Sequence, residues 1–198
     1  MGIRLHFDKK DWERIRQDYT AWWAHDLDRP LVQITGKQAD HAYLSEPHKF
    51  ASNYGLDMPA EELVAQYTPS LEQTRYYGDA FPRWFVNFGP GIMAGFLGAR
   101  VHSVPDTVWF EPAIKQTAHG LCLTYQADNP WWLLIQAVSR AAVVAWEGMV
   151  AVSHTDLGGN LDIVASFLTT EGLLLSLYDA PLEVDRLAGE VTQLWLRY

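Results

Sequence analysis

His154 and Asp156 stand two residues apart in the run His154-Thr155-Asp156-Leu157-Gly158-Gly159-Asn160-Leu161-Asp162, the chain's richest stretch of reactive side chains. A histidine beside a carboxylate is either a proton-transfer pair or two ligands of a metal ion. Gly158-Gly159 lets backbone amides turn toward a ligand. The plainer reading is that Asp156 caps a helix, the glycines make a turn and His154 is a satisfied polar residue. A second run, Asn87-Phe88-Gly89-Pro90-Gly91, opens a Gly89-x-Gly91-x-x-x-Gly95 pattern. It is superficially similar to a dinucleotide fingerprint, with Glu111 about twenty residues on, where a ribose-binding acid belongs. Pro90 removes a backbone donor from the phosphate turn, however, and the usual strand is missing from the N-terminus. A tight turn and close helix packing account for the glycines instead. Asp79 precedes Phe81-Pro82 and is either a ligand contact or a turn cap. The other histidines (His6, His25, His41, His48, His102 and His119) have no metal-site spacing, and no metal ligand is assigned. Neither a Ser-His-Asp signature, a Walker loop nor a cysteine pair is found.

Something must position these residues. Helical periodicity predicts a helix over residues 9–25, with Trp12, Ile15, Tyr19, Trp22 and Trp23 on its apolar side. A short buried strand is expected at 31–35, a helix at 60–77 that Pro69 kinks or splits, and a second strand at 84–88. A short helix at 92–97 follows, and 108–110 and 121–125 read as extended. Asp128 or Asn129 caps a helix over 130–147, with Pro130 at its first position. A third strand at 149–153, short helices at 161–168 and 171–178, and a final helix from Pro181 complete the pattern. Strands alternating with helices imply parallel βαβ units. The three strands are therefore expected to be adjacent and parallel, with right-handed crossovers. In such sheets ligands sit at the strands' carboxyl ends, so Asn87, His154 and Asp156 are expected to meet in one cleft with Asp162 nearby.

Composition narrows the function. The chain has 198 residues, 48% hydrophobic and 20% charged, an ordinary globular balance. Its net charge of −9 repels phosphate backbones and anionic lipid, setting aside nucleic-acid and membrane partners. The single cysteine, Cys122, sits in an apolar run and is expected to be a buried thiol. No secretory signal opens the chain, no apolar run approaches the ~20 residues of a membrane span, and a reducing, cytoplasmic location fits. Nine tryptophans suit either an aromatic ligand site or, more simply, a core.

Taken in order, several segments resemble the uroporphyrinogen decarboxylase superfamily, which holds tetrapyrrole decarboxylases and cobalamin-linked methyltransferases. They are His25-Asp26-Leu27-Asp28-Arg29-Pro30, Gly78-Asp79-Ala80-Phe81-Pro82, Asn87-Phe88-Gly89-Pro90-Gly91, Val108-Trp109-Phe110-Glu111-Pro112, Asp128-Asn129-Pro130-Trp131-Trp132 and His154-Thr155-Asp156-Leu157-Gly158-Gly159 leading to Leu161-Asp162-Ile163. The resemblance implies a (β/α)8 TIM barrel, of which residues 1–198 form a single domain: an N-terminal helical extension (1–30) and the first barrel units (31–198). A complete barrel takes roughly 250 residues, so the chain reads as its N-terminal half. The resemblance implies catalytic roles for His154 and Asp156 and substrate contacts from Asp79, Asn87, Phe88, Gly89, Trp109 and Asp162. True decarboxylases of the family carry an arginine-rich loop after the first strand; here that place reads Thr35-Gly36-Lys37-Gln38-Ala39-Asp40. They also place an aspartate after the second strand, where Asn87 or Asp79 stands. The resemblance thus points to a parent acting as a methyltransferase-type enzyme on a tetrapyrrole or corrinoid-linked substrate, small molecule or corrinoid protein, with zinc and corrinoid belonging to the full-length parent and no cofactor in this chain. The alternatives are a true decarboxylase or a non-catalytic binding module. A half-barrel keeps an unpaired edge and exposes helix stripes such as Val184, Leu187 and Val191, so the chain alone is expected to form a homodimer or aggregate, without turnover.

Overall fold

The computed structural model describes residues 2–37 and 47–198; residues 38–40 of the loop set against the arginine-rich one, and His41, lie outside the described residues. In chain order the elements are α1 (Lys9–Trp23), β1 (Gln33–Lys37), a 3-10 turn (Ala51–Tyr54), α2 (Ala60–Gln73), β2 (Thr74–Gly78), β3 (Arg83–Phe85), α3 (Met93–Phe96), β4 (Arg100–Val104), β5 (Thr107–Glu111), α4 (Pro130–Ala145), β6 (Ala151–Ser153), α5 (Asn160–Leu168), α6 (Thr170–Asp179) and α7 (Pro181–Arg197). The protein is mixed α/β. Its strands form three two-stranded sheets, β1-β2, β3-β6 and β4-β5, and among the described residues no barrel closes. Where the sequence suggests one domain, the chain divides into two compact units interleaved in sequence.

The first unit takes Met1–Pro47, Pro59–Phe85 and Val138–Ser153. Its core gathers Ile15, Leu63, Val64, Trp84, Val138 and Trp146. β3 and β6 pair in parallel, Trp84 opposite Val152, so the second and third expected strands are neighbours in the expected sense, though shorter. Trp84 meets the edge of Trp146 with ring centroids 5.1 Å apart, and the Trp146 Nε1–H donates to Thr68 Oγ1 at 3.0 Å. The first expected strand departs from the reading. It runs over 33–37 and pairs antiparallel with β2, not with β3. β2 was hidden in the expected helix over 60–77. Pro69 lies inside α2 without ending it, and the helix gives way only at Thr74-Arg75-Tyr76-Tyr77, where β-branched and aromatic side chains favour a pleated strand. β1 is largely exposed rather than buried, because an antiparallel ribbon keeps solvated faces that a covered parallel strand does not. α1 buries only Ile15 fully; Trp23, expected on its inner side, is 80% exposed.

The second unit takes His48–Met58, Val86–Ala137 and His154–Tyr198. Phe88, Ile92, Phe96, Ile163, Leu187 and Val191 sit in its core. The helix over 130–145 starts as expected: the Asn129 Oδ1 accepts from the amides of Trp131 (3.0 Å) and Trp132 (3.4 Å), while its Nδ2 donates to the Gly95 carbonyl at 3.1 Å. The extended segment 108–110 is the second strand of a β4–β5 hairpin, with His102 opposite Trp109; residues 121–125 form no strand. Two further expectations are corrected. Val184, Leu187 and Val191 are buried, not exposed, because α7 turns this stripe inward in a unit where it packs with α5 and α6. Cys122 is exposed, and the flanking Leu121 and Leu123 are buried instead. Among the described residues no single helix is long and apolar enough to cross a membrane.

Candidate functional site

The residues that follow β3 and β6 in sequence, Asn87 to Gly91 and His154 to Gly159, meet in the second unit. The Asp156 carbonyl accepts from the amides of Gly91 (3.2 Å) and Ile92 (3.3 Å). Gly91 and Gly158 both adopt left-handed backbone, φ +84° and +85°, and a Cβ added to Gly158 would stand 2.6 Å from the Gly91 Cα. Only glycine allows both the conformation and the approach. The Asp156 side chain folds back on its own loop, Oδ1 accepting from the Gly158 amide at 2.8 Å. Gly89, φ +96°, performs a similar service for the hairpin: a Cβ there would fall 2.5 Å from the Val108 Cβ. The glycines of the motif thus close two backbone-to-chain contacts.

These contacts shape a cleft of about 460 Å³, with Trp109 and Phe110 from β5, Asp156 and Gly158 from the loop, and Asp162 and Ile163 from the start of α5 among its lining. Asp162 is the third residue of α5, close to the partial positive charge of the helix N-terminus. A Cβ on Gly159 would stand 2.9 Å from its Oδ2, so the carboxylate lies over that glycine. The lining carries two carboxylates and no Lys, Arg or His, which makes the cleft electronegative. Trp109 is held from behind. Its indole Nε1–H donates to Glu111 Oε1 at 3.1 Å, its ring stacks on His102 at 5.2 Å and 11°, and His102 Nε2 lies 3.1 Å from Glu111 Oε2.

A second cleft, of about 500 Å³, shares Asp156 and adds His154, Thr155, Trp195 and Tyr198. The His154 Nδ1 is 2.8 Å from the Thr155 carbonyl. A carbonyl only accepts, so Nδ1 carries the hydrogen, and in the neutral ring Nε2 is the basic nitrogen. Burial pushes the Tyr198 phenol above its ordinary pKa, partly offset by the hydrogen bond from the Gln126 amide.

The structure therefore brings together Asp156, Asp162 and Trp109 in one cleft, and Asp156 with His154 in the next. It does not bring Asn87 to either. The Asn87 Nδ2 donates to the Lys49 carbonyl at 3.0 Å and its Oδ1 accepts from the Gly89 amide at 3.2 Å, so the side chain ties the loop. Phe88 is a core residue with no exposed surface. Asp79 belongs to the first unit. It is buried, its two oxygens accept from the Arg29 guanidinium at 2.6 and 2.8 Å, and Oδ2 also accepts from the Val32 amide at 2.7 Å. Hydrogen bonds from Arg29, opposed by burial and reinforced by the Val32 amide, hold its carboxyl down at about 2. This is a structural anchor rather than a ligand contact. Phe110, Trp195 and the His102–Glu111 brace were not singled out from sequence. The brace was readable in principle, since Pro105-Asp106 is a turn signal that would have paired 100–104 with 107–111. Among the described residues no three His, Cys, Asp or Glu side chains are placed to hold a metal ion. No family model, no curated protein and no solved structure matches the chain.

Proposed function

We propose that the chain is the ligand-binding part of a uroporphyrinogen decarboxylase-like enzyme that handles a corrinoid or similar tetrapyrrole in methyltransferase-type chemistry. The observation that carries this reading is the cleft's composition: an aromatic wall of Trp109 and Phe110 and two carboxylates, Asp156 and Asp162, with no cationic residue in the lining. An aromatic wall favours a flat, apolar ring face. The carboxylates accept hydrogen bonds from N–H groups, such as pyrrole nitrogens or the amides on a corrin rim. A substrate bearing many carboxylates, as a decarboxylase requires, would meet like charges and no guanidinium. Of the half-barrel that the resemblance implies, the parallel β3–β6 pair is the one supporting feature, and the antiparallel β1–β2 ribbon is not part of such a barrel.

The chain's own residues have definable tasks in this reading. Trp109, braced by Glu111 and His102, offers its indole face to the ring. Asp162 takes an N–H donor beside the α5 N-terminus. Asp156, reached from both clefts, orients the ligand where it passes toward His154, whose Nε2 accepts or returns a proton. The described residues do not fit a zinc site.

A spectral titration of the full chain with hydroxocobalamin, set beside the octacarboxylate uroporphyrin, tests the proposal. Hydroxocobalamin should bind, and Trp109→Ala and Asp156→Asn should each weaken binding by about tenfold, while uroporphyrin should bind far more weakly. Absence of hydroxocobalamin binding, affinity indifferent to both substitutions, or preference for uroporphyrin would overturn it.

A further inference from the structure

α6 reads Thr170-Glu171-Gly172-Leu173-Leu174-Leu175-Ser176-Leu177-Tyr178-Asp179, apolar on more than one side. A helix of that kind is normally covered all round. Here Leu173 is buried, whereas Leu174 is 62%, Leu175 57%, Tyr178 89% and, at the start of α7, Leu182 83% exposed. Leu174, Leu175 and Tyr178 lie three to four residues apart or adjacent, so they share one side of α6. Scattered exposed leucines need no explanation; five large apolar side chains gathered within nine positions of α6 and the start of α7, Leu177 at 44% exposed being the fifth, do.

The charges around this face are all of one sign. Glu171 stands at helical spacing from Leu174 and Leu175, Asp179 from Leu175, and Asp185 from Leu182, and all three acids are exposed. The sequence from 141 to 185 contains no Lys or Arg at all. The next cation, Arg186, is engaged by Glu183 at 2.9 Å and Glu190 at 2.5 Å. A second copy of this chain would set these acids against themselves, and anionic lipid would be repelled. Charge complementarity selects a different occupant.

We propose that the α6 face is a docking surface for a protein partner that presents an apolar helix flanked by Lys or Arg. Leucine side chains from the partner cover Leu174, Leu175, Tyr178 and Leu182, and its cations meet Glu171, Asp179 and Asp185. The residues of this surface line neither cleft; of α6, only Thr170, at its first position, borders the cleft of Trp109 and Asp162.

The test uses the full chain and a fluorescent amphipathic Leu/Lys helical peptide, followed by anisotropy, with a Leu/Glu peptide of the same pattern and phosphatidylserine vesicles in parallel. The Leu/Lys peptide should bind. The exposed double substitution Leu174→Ser/Tyr178→Ser, which leaves charge intact, and Asp179→Asn/Asp185→Asn, which leaves the apolar face intact, should each weaken it about tenfold. Asp26→Asn/Asp28→Asn, which removes the same charge elsewhere, should leave affinity unchanged and so separates docking from general attraction to an acidic protein. Failure to bind, equal binding of the Leu/Glu peptide, binding insensitive to Leu174→Ser/Tyr178→Ser, vesicle binding through this face, or self-association that those serines abolish would each overturn the proposal.

Discussion

Asp79→Asn removes one charge from the centre of a buried hydrogen-bond cluster in the first unit. The carboxylate accepts from both terminal nitrogens of Arg29 and from the Val32 amide. The Asp79 amide in turn donates to the Val32 carbonyl at 2.7 Å, and the Tyr19 hydroxyl donates to the Asp79 carbonyl at 3.2 Å. One residue therefore fixes the end of the β1–β2 ribbon, the chain around Arg29 and the inner side of α1. Its side chain is only 1% exposed, against 45% for Arg29. The exposed partner recovers water when the pair is broken, so the loss falls below the 3–5 kcal/mol typical of a pair buried at both ends. The carboxyl falls from 3.8 to about 2 on folding, worth roughly 2.5 kcal/mol at about 1.4 kcal/mol per pKa unit. At roughly 2–4 °C per kcal/mol for a chain of this size, Asp79→Asn lowers Tm by about 5–10 °C at neutral pH.

The pH dependence follows from the direction of the shift. The folded-state pKa is depressed, so the stabilisation is fully present above the unfolded value near 4 and is lost as pH falls through about 2. The asparagine variant lacks this dependence. Urea unfolding followed by circular dichroism, for both proteins at intervals from pH 7 to pH 2, should show a gap that is constant down to about pH 4.5 and then narrows. Equal midpoints at pH 7, or a gap that persists undiminished at pH 2, would refute the assignment of Asp79 as the anchor.

Gly158→Ala should disturb the floor of the cleft lined by Trp109: at φ +85° and with rigid Gly91 backbone 2.6 Å away, the loop must move, costing about 1–3 kcal/mol in thermal melts, whereas Gly120→Ala, where the nearest atom is 3.8 Å off, should be nearly silent. Asn129→Ala should cost about 2 kcal/mol in urea unfolding, since it removes the cap of α4 and leaves the Gly95 carbonyl without its donor; Asn129→Asp, which keeps the cap acceptor, should recover part of the loss.

Local signals made the helices legible. Asn129-Pro130 and Gly148 bracket α4, and the Val184-Leu187-Val191-Leu194 spacing marks α7 as a helix, although the half-barrel reading left exposed a stripe that the structure buries. The pairing of strands was not legible in the same way, because it depends on partners distant in sequence. The run Leu31-Val32-Gln33-Ile34-Thr35 suits a covered parallel strand, yet the strand that forms is Gln33–Lys37 and its partner is Thr74–Gly78. Gly78, φ +61°, explains why: a Cβ there would fall 2.4 Å from the Val32 carbonyl oxygen, so the ribbon's end closes only on glycine. That requirement is invisible until the two segments are juxtaposed. For the candidate site, Asp156 and Asp162, picked for their carboxylates, and Trp109, implied by the resemblance, share a cleft, whereas Asn87 and Asp79, of equally suitable chemistry, are spent on backbone amides, carbonyls and Arg29. Residue type says what a side chain can do; the hydrogen bonds it already makes decide whether it remains available to do it.

That distinction also bears on the two carboxylates of the cleft lined by Trp109. Asp156 gives one oxygen to the Gly158 amide and, through its carbonyl, holds the amides of Gly91 and Ile92. Replacing it by asparagine keeps the geometry of an Asx turn, because an amide oxygen accepts the Gly158 hydrogen as a carboxylate does. The loop then survives while the charge is lost, so a weakened ligand in that variant reports on electrostatics and not on collapse of the turn. Gly158→Ala does the reverse, disturbing the loop while leaving both charges in place. A ligand that depends on the negative field of the cleft responds to the first substitution, and one that depends only on its shape responds to the second.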